Sequence, residues 1–377
     1  MEITRTSEAQ DEFEGKKVDA MKTYRIACIP GDGIGNEVMP EGLRAVEAAA
    51  AAGGFSIETT HYDWSCERYK ATGAMMPEDG IAQLADTDAI FLGAVGFPGV
   101  PDHISLWGLL VPIRREFDQY VNLRPVRLLP GVPCPLANKQ PGDIDFWVVR
   151  ENTEGEYSQV GGMMFAGTER EFVTQQAVFT RKGCDRITRY AFELAKKTGA
   201  SKVDMATKSN GIFVSMPYWD ERFRAVAAEY PDIETQEHHI DILSARMVMS
   251  PEAFQVVVAT NLFGDILSDL GPGVTGTIAV APSANINPER DYPSMFGPVH
   301  GSAPDIAGRG VANPVGQIWS GAMMLDHLGE PEAAAAIVRA IETVLGNPSA
   351  PKTGDLGGAA KTGELGRAIA EQIASGS

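Results

Sequence analysis

Two aspartates spaced four residues apart are the first feature of this sequence that could do chemistry. Asp265 and Asp269 lie in the segment NLFGDILSDL, directly after the apolar run at 256–259. On a helix the two carboxylates share one face, where like charges repel by roughly a few tenths of a kcal/mol. A divalent cation with hard oxygen ligands would offset this repulsion. The alternative is a solvated acidic face close to a helix N-terminus.

Asp241 is a possible third carboxylate. It follows His238-His239-Ile240 at the end of a predicted strand. Its position fits either a metal ligand or the N-cap of the next helix.

Arginines supply the opposite charge. Four flank a predicted helix-to-strand passage and a fifth ends the apolar segment FWVVR: Arg114, Arg115, Arg124, Arg127 and Arg150. A guanidinium group can bind a carboxylate through two parallel hydrogen bonds, so a cluster near strand ends favours capture of a carboxylate ligand. A surface salt bridge is the alternative for any single arginine.

Two further side chains have the chemistry for proton transfer. Tyr157, in ENTEGEY, could donate a proton if an adjacent cation lowered its pKa from about 10, and packing in a polar turn is the alternative. Lys208, in TKSNG, could act as a base if burial or a positive neighbour depressed its pKa. An exposed lysine at a strand end is the alternative.

Two glycine-rich segments are candidates for holding a nucleotide. The first, GDGIGNE, follows a predicted strand but has Asn36 where the G-x-G-x-x-G fingerprint needs its third glycine. We therefore interpret it as a strand-to-helix turn. The second runs from Phe296 to Pro314, before a predicted helix, and its free amides and carboxylate could bind adenosine and ribose.

The composition is that of a globular protein with an acidic surface. Among 377 residues, 32 Lys and Arg against 50 Asp and Glu give a net charge of −18. This charge opposes binding to nucleic acid or anionic membranes, and no apolar run approaches the roughly 20 residues that span a bilayer. Four dispersed cysteines indicate reduced thiols in a cytoplasmic protein. We expect residues 1–21 to be a disordered acidic tail, because they lack the features of a signal peptide.

Strand-like and helix-like segments alternate from residue 24 onward, which predicts a parallel sheet covered by helices. Strands are predicted at 24–30, 55–64 and 88–95, and in VNLRPVRLL, DIDFWVVRE, KVDMAT, IETQEHHI and VVVAT. An alanine-rich helix extends to about residue 52, and others follow Gly183, Ile212 and Asn261. The longer alternation in EREFVTQQAVFTR predicts antiparallel or arm-like strands. Two α/β lobes with a cleft between them fit this pattern.

Five motifs, taken in order, resemble those of the β-decarboxylating dehydrogenases: GDGIG, RENTEGEY, TKSNG, NLFGDILSDL and HGSAPDIAG. This is the family of isopropylmalate, isocitrate, tartrate and D-malate dehydrogenases, and the resemblance runs from about residue 22 to 375. It implies an isopropylmalate dehydrogenase-like fold, with two intertwined α/β/α lobes around a central mixed, largely parallel sheet. It also implies a discontinuous cofactor-binding domain, residues 22–125 and 275–377, and a small domain, residues 126–274, that carries the dimerisation, metal and substrate residues.

The resemblance implies a role for each candidate residue. Substrate carboxylates would be held by Arg114, Arg124 and Arg150, and Mn²⁺ or Mg²⁺ by Asp241, Asp265 and Asp269. Lys208 would assist removal of the hydroxyl proton, and Tyr157 would protonate the enol that decarboxylation leaves. Lys208 and Asp241 would reach into the neighbouring subunit's cleft, so we expect a homodimer.

The same resemblance implies that the later glycine loop holds NAD. The implied contacts are Val95, Asn210, His300, Gly301, Ser302, Ala303, Asp305 and Asn313. A carboxylate at Asp305 hydrogen-bonds ribose hydroxyls and repels a 2′-phosphate, so we expect NAD rather than NADP.

The segment DHISLWG, residues 102–108, resembles the tartrate and D-malate branch of the family. A bulky Trp107 favours a small substrate, so we expect oxidative decarboxylation of D-malate, to pyruvate and CO₂, or of tartrate. 3-Isopropylmalate is the alternative substrate.

Two positions depart from the family pattern. Pro112 would break or start a helix, and Gly297 stands where relatives usually carry an acid beside the nicotinamide. Gly297 leaves open a catalytically silent binder of acid and nucleotide, and the aspartate pair by itself leaves open a metal-dependent hydrolase without a nucleotide.

Overall fold

The computed structural model describes residues 21–376. The predicted acidic tail, residues 1–21, lies outside the described residues except for Met21. Within the described range, no helix is both long and apolar enough to cross a lipid bilayer.

The strands of the described chain form two sheets. Their bounds are β1 (Thr23–Gly31), β2 (Ser56–His61), β3 (Ala89–Ala94), β4 (Val121–Arg127), β5 (Asp145–Glu151), β6 (Gly155–Met164), β7 (Phe172–Val178), β8 (Lys202–Thr207), β9 (Glu234–His239), β10 (Val256–Ala259), β11 (Pro282–Ile286) and β12 (Ser294–Pro298). The large sheet has the strand order β2-β1-β3-β12-β11-β4-β5-β10-β8-β9, and β6 pairs with β7 separately.

The α-helices alternate with the strands along most of the chain. Their bounds are α1 (Gly35–Gly53), α2 (Cys66–Thr72), α3 (Gly80–Ala85), α4 (Asp102–Ser105), α5 (Val111–Glu116), α6 (Arg181–Thr198), α7 (Ser215–Ala227), α8 (Ile240–Met249), α9 (Asn261–Thr275), α10 (Val315–Leu328), α11 (Pro331–Gly346) and α12 (Thr362–Ser375). A π-helical turn, Leu106–Leu110, joins α4 to α5. Pro112 is the second residue of α5, which directly follows the π-helical turn, so it neither breaks nor starts the helical run of residues 102–116 but lies within it.

The large sheet is parallel at its two sides and antiparallel in its middle. β11 runs antiparallel to both β12 and β4, and β4 runs antiparallel to β5. The remaining pairs are parallel. This topology confirms the predicted α/β fold with a mixed, largely parallel sheet. Because one sheet extends through both predicted domains, the lobes share a core; the domain boundaries stay a prediction.

Two strands, each third from one end of the large sheet, are buried along their whole length. β3 has the sequence AIFLGA and β10 the sequence VVVA, and every residue of both strands is buried. Continuous burial of this kind is typical of strands with both faces covered. The large side chains Phe91, Phe146 and Trp219 are fully buried around them.

Three parallel strands bring candidate residues to one edge of the sheet. β10 lies between β5 and β8, with Ala259 beside Arg150 and Val258 beside Met205. Since parallel strands end at the same edge, Arg150 at the end of β5, Lys208 after β8 and the N-terminus of α9 after β10 share this edge.

β6 and β7 form the separate sheet, which we call the arm. They are antiparallel, as the alternation in EREFVTQQAVFTR predicts. Their pairing is irregular between Gly155 and Val160. The arm exposes a group of large apolar side chains: Val160, Met163, Met164, Phe165, Phe172 and Val173.

Candidate active site

Asp265, in α9, is the centre of the site. Its Oδ1 accepts a hydrogen bond from Arg150 Nη1 and a longer one, 3.5 Å, from Arg124 Nη2. Its Oδ2 accepts a hydrogen bond of 2.9 Å from the Tyr157 hydroxyl. Four candidate residues from β4, β5, β6 and α9 therefore meet at one carboxylate.

Other side chains of α9 fix the two arginines. Arg150 donates two hydrogen bonds to Asn261 Oδ1, at 2.7 and 3.1 Å. Arg124 Nη1 donates to Ser268 Oγ at 2.8 Å and to Asp269 Oδ1 at 2.7 Å. The sequence analysis missed Asn261 as a site residue, because an Asn at the start of a helix indicates a cap. Here it orients a buried guanidinium instead.

Arg114 is less well compensated than its neighbours. Its Nε is buried and has no hydrogen-bond partner within residues 21–376. Burial, together with the positive charges of Arg150 and Arg124, lowers the pKa of Arg114 to about 9. Three guanidinium groups around one carboxylate leave an excess of positive charge, which suits a ligand with carboxylates of its own.

Burial and the neighbouring charges together determine the ionisation of Asp265 and Tyr157. Burial opposes ionisation of Asp265, but Arg150, Arg124 and the Tyr157 hydrogen bond hold the pKa of this carboxyl below its usual range. Burial and the charge of Asp265 raise the pKa of Tyr157 and outweigh the opposite effect of Arg150 and Arg114. The sequence analysis required an adjacent cation to lower the pKa of Tyr157, but the pKa is raised instead. The phenol stays protonated and can donate its proton.

The three glutamates of RENTEGEY have structural roles beside Tyr157. Glu151 accepts from the backbone N–H groups of Thr153 and Glu154, both at 2.9 Å, and so closes the turn. Glu154 binds Thr180, the N-cap residue of α6, through its N–H at 2.8 Å and its hydroxyl at 2.7 Å. Burial raises the pKa of both carboxyls.

Glu156 stabilises the start of α9. It accepts from the Thr260 hydroxyl at 2.9 Å and from the Leu262 N–H at 3.1 Å. A carboxylate at this place satisfies free helix N–H groups and interacts favourably with the helix dipole. The strand that carries Tyr157 thus also positions the helix that carries Asp265.

Asp241 and Lys208 form a pair of their own. Lys208 Nζ donates to Asp241 Oδ1 at 2.8 Å, and this bond lowers the pKa of Asp241. The Asp241 side chain is 66% exposed. It lies in the first turn of α8, after the N-cap residue His239.

The carboxylates of one chain supply only part of a metal site. In the described residues, no three His, Cys, Asp or Glu side chains are arranged to hold one metal ion. Asp265 and Asp269 both bind Arg124, so their oxygens lie close together and fit two hard ligands. Asp241, the third predicted metal ligand, pairs with Lys208 instead.

GDGIG is the turn between β1 and α1, as interpreted from its spacing. Gly33 has φ +53°, and a Cβ there would lie 2.2 Å from the Ser302 carbonyl oxygen. The Ile34 N–H donates to the same carbonyl at 2.9 Å. Asp32 accepts from the N–H groups of Cys66 and Gly96. The turn therefore supports the later glycine loop.

A cavity of about 460 Å³ lies beside that loop. Its walls include Ile34, His300, Ala303 and Asn313. His300 Nε2 is buried and has no hydrogen-bond partner among the described residues, and burial lowers the pKa of His300. Asn313 donates to Asp355 Oδ2 at 2.9 Å, and Asp355 also lines the cavity. An unpartnered buried nitrogen in an apolar cavity fits a ligand with hydrogen-bonding groups, such as adenine.

The other candidate cofactor residues lie around this loop or at the sheet edge. Asp305 and Gly301 are exposed, whereas Ser302 is buried. Val95 directly follows β3, and Asn210 lies in the exposed turn after β8.

Gly297 lies in β12, opposite Ser283 of β11. A Cβ at Gly297 would lie 2.6 Å from the Leu92 carbonyl oxygen. An acid at this position would therefore require a shift of β3 or β12.

Comparison with known proteins identifies the family. Residues 25–369 match the isocitrate/isopropylmalate dehydrogenase family. The chain belongs to this family. The resemblance carried by the five motifs is thereby confirmed.

Three relatives within this dehydrogenase family cover nearly the whole chain. The D-malate dehydrogenase (decarboxylating) of Escherichia coli (strain K12) is 61% identical over 360 residues, 94% of this chain and 99% of that protein. The tartrate dehydrogenase/decarboxylase of Pseudomonas putida is 58% identical, over 93% and 98%. The crystal structure of isocitrate dehydrogenase from Methylococcus capsulatus matches with a TM-score of 0.84 at 34% identity, over 93% and 99%.

Proposed function

We propose that this protein catalyses the oxidative decarboxylation of a small 2-hydroxy diacid, D-malate (to pyruvate and CO₂), tartrate or both. The observation that carries the proposal is the group of Arg114, Arg124 and Arg150 around Asp265, which has excess positive charge for a diacid. The relatives named for D-malate and tartrate, at 61% and 58% identity, support the same substrate class.

Trp107 supports a small substrate over 3-isopropylmalate. It lies in the π-helical turn that precedes α5, whose Arg114 is one of the proposed carboxylate ligands. Its ring packs under Arg115, with 4.9 Å from the guanidinium carbon to the ring centroid. A large ring held in this way leaves less room for a branched alkyl group.

NAD is the proposed hydride acceptor. His300, Ser302, Ala303 and Asn313 belong to the loop beside the 460 Å³ cavity, and the unpartnered His300 Nε2 supports a ligand there. The exposed carboxylate of Asp305 favours ribose hydroxyls over a 2′-phosphate, so NADP should bind poorly. Val95, Asn210 and Gly301 complete the proposed contacts.

Mn²⁺ or Mg²⁺ is the proposed metal, held by Asp265 and Asp269 of one subunit and Asp241 of the other. When bound, NAD supplies a hydride acceptor, and the divalent ion supplies a Lewis acid at the substrate's 2-oxygen. Lys208 assists removal of the 2-hydroxyl proton as the alcohol is oxidised. After CO₂ leaves, Tyr157 donates its proton to the carbon that lost the carboxylate.

A homodimer is part of this proposal, because Lys208 and Asp241 act in the site of the other subunit. Exposed apolar residues near them support an interface: Ile212, Phe213, Val214, Val248 and Met249. Phe213 alone is 82% exposed. A run of exposed apolar residues, such as Ile212, Phe213 and Val214, is typical of a protein–protein contact.

The deciding experiment is NADH formation from D-malate with and without Mn²⁺, repeated with L-tartrate, 3-isopropylmalate and NADP. We expect Mn²⁺-dependent NADH formation, with D-malate or tartrate preferred over 3-isopropylmalate and NAD over NADP. A preference for 3-isopropylmalate would overturn the substrate. Thermal stabilisation by NAD and D-malate without CO₂ release would instead support a silent binder, and turnover without NAD a hydrolase.

A further inference from the structure

Tyr157 lies on a part of the arm that the strand ladder does not hold in place. The pairs of β6 with β7 run from Met164 opposite Phe172 to Val160 opposite Gln176, and then break until Gly155 opposite Val178. Tyr157 falls within this break. Its backbone therefore lacks the regular inter-strand hydrogen bonds that fix residues in a sheet.

Side-chain hydrogen bonds take the place of the missing ladder: Gln175 Nε2 donates to the Glu156 carbonyl oxygen, and the Ser158 hydroxyl donates to the Gln176 carbonyl oxygen. Arg115 supplies the support at Tyr157 itself. Its Nη2 donates a 2.9 Å hydrogen bond to the Tyr157 carbonyl oxygen, and its Nη1 donates a 2.8 Å bond to Gln159 Oε1. The same guanidinium packs on the ring of Trp107, at 4.9 Å. Two hydrogen bonds and one ring contact fix the plane of the group, which a lysine could not reproduce.

α5 thereby connects the substrate side of the site to the proton donor. Arg114 and Arg115 are neighbours on this helix, and Trp107 lies in the π-helical turn before it. Arg114 faces Arg150 and Arg124, whereas Arg115 reaches the backbone of Tyr157. The Tyr157 hydroxyl is held at its other end by Asp265.

We propose that Arg115 is a positioning residue that holds the backbone of Tyr157, and so its hydroxyl, in place for proton donation. The inference rests on the proposed function. The step it serves is protonation of the enolate left after CO₂ departs. The enolate C=C electron pair forms a new C–H bond, the Tyr157 O–H bond breaks, the ketone forms, and solvent returns a proton to the phenolate.

The kinetic test uses Arg115→Gln with D-malate, NAD and Mn²⁺. Hydride transfer precedes protonation, so slow protonation leaves NADH formed before the step that limits turnover. We expect kcat to fall by about tenfold or more, with KM for D-malate falling in proportion, because the steps up to the loss of CO₂ set kcat/KM and these are unchanged. Rapid mixing should then reveal a burst of about one NADH per active site, which a loss of stability would not produce.

Three further variants control the kinetics. Tyr157→Phe should give the same burst, because it removes the donor itself. Arg115→Lys should give an intermediate burst, since one ammonium cannot replace both hydrogen bonds and the ring contact. Arg181→Gln, at an arginine whose side chain is 74% exposed, should behave as wild type.

Amide hydrogen exchange gives a second readout without ligands. Residues 156–159 should exchange faster in Arg115→Gln than in Arg181→Gln, because the break in the ladder loses its support. If Arg115→Gln does not fold, Trp107→Leu removes the ring contact of Arg115 and should show faster exchange at residues 156–159 in weaker form.

Three outcomes would overturn the inference while leaving the proposed function intact. The first is NADH formation by Arg115→Gln with the wild-type kcat and without a burst. The second is a rise in KM with no change in kcat. The third is unchanged hydrogen exchange at residues 156–159. If wild type forms no NADH from D-malate or tartrate, the proposed function fails and the role of Arg115 fails with it.

Discussion

At the scale of single residues, the site is organised by an imbalance of charge. Asp265 interacts with Arg150 and Arg124, while burial and these two cations lower the pKa of Arg114 to about 9. An incompletely paired buried charge destabilises the protein that carries it. The same charge interacts favourably with a substrate carboxylate. We therefore expect Arg114 to lower the stability of the ligand-free protein and to strengthen substrate binding.

The variant Arg114→Gln tests both effects, on stability and on substrate binding. Removal of the charge should raise the free energy of unfolding of the ligand-free protein by about 1 kcal/mol, because repulsion among the arginines falls. It should lower kcat/KM for D-malate by about 100-fold, equivalent to about 2.7 kcal/mol. Chemical denaturation and steady-state kinetics measure the two effects. A less stable variant with normal kcat/KM would show that Arg114 is a structural residue.

The sequence predicts which residue types gather at the site but not how they contact one another. Its motifs identify Asp265, Tyr157 and the arginines, since their chemistry is visible in their type. The pKa of Tyr157 changes in the opposite direction from the one its sequence-based role required, because burial and Asp265 outweigh two cations. Asn261 was not predicted as a site residue, and Arg115 was predicted only as a member of the arginine cluster, because the roles of both depend on partners in distant segments.

At the scale of elements, the turn after β1 acts on a loop far along the chain. The Ser302 carbonyl oxygen accepts a hydrogen bond from the Ile34 N–H, and a Cβ at Gly33 would lie only 2.2 Å from it. The geometry of the turn therefore determines where the loop lies. This is a role for GDGIG that needs no contact with a nucleotide.

Gly33→Ala should move the loop and weaken NAD binding. The added methyl group meets a carbonyl at 2.2 Å, so we expect KM for NAD to rise about tenfold, the effect of about 1.4 kcal/mol. KM for D-malate should change little. Gly54→Ala is a matched control, because Gly54 also has positive φ, +76°, but has open space around its Cβ position. Equal effects of both variants on KM for NAD would contradict the proposed contact.

Most strands could be predicted, and the three exceptions have a physical reason. Long apolar or alternating segments correspond to β1–β5 and β7–β10, and the arm-like strand β7 was predicted from its alternation. β6 was not predicted, since it contains two adjacent glycines. β11 and β12 were not predicted, since they are five residues each and contain Pro, Asn and Gly. Their burial between β3 and β4 makes them strands despite weak propensity.

At the scale of the whole molecule, the proposed site requires two chains. In the proposed dimer, each site contains Asp265 of one subunit and Lys208 of the other. Homodimers of Lys208→Ala and of Asp265→Asn should both be inactive, since each variant lacks one of these side chains in both sites. When the two variants are unfolded and refolded together, about half of the dimers are mixed and contain one intact site each, so about a quarter of wild-type activity should return. Inactive mixtures in which mixed dimers are detected by mass spectrometry would contradict a shared site.

Stability should depend on pH through His327. Burial and the charge of Arg290 lower the pKa of His327 from 6.5 to about 4. Between these values the unfolded chain binds more protons, so the free energy of unfolding falls as pH decreases from about 6.5 to about 4. The loss approaches about 3 kcal/mol. Denaturant unfolding of His327→Gln should show a flatter pH dependence, whereas His61→Gln, at an exposed position, should keep the slope of wild type.

The strand order also governs how the chain folds as it leaves the ribosome. β3 pairs on one side with β1, which precedes it, and on the other with β12, where Met295 lies beside Ile90. Until translation has passed residue 298, the apolar edge AIFLGA has no neighbour on that side. Nascent chains that stall before this point expose an unpaired strand edge, the surface on which newly made polypeptides associate with one another and which chaperones cover.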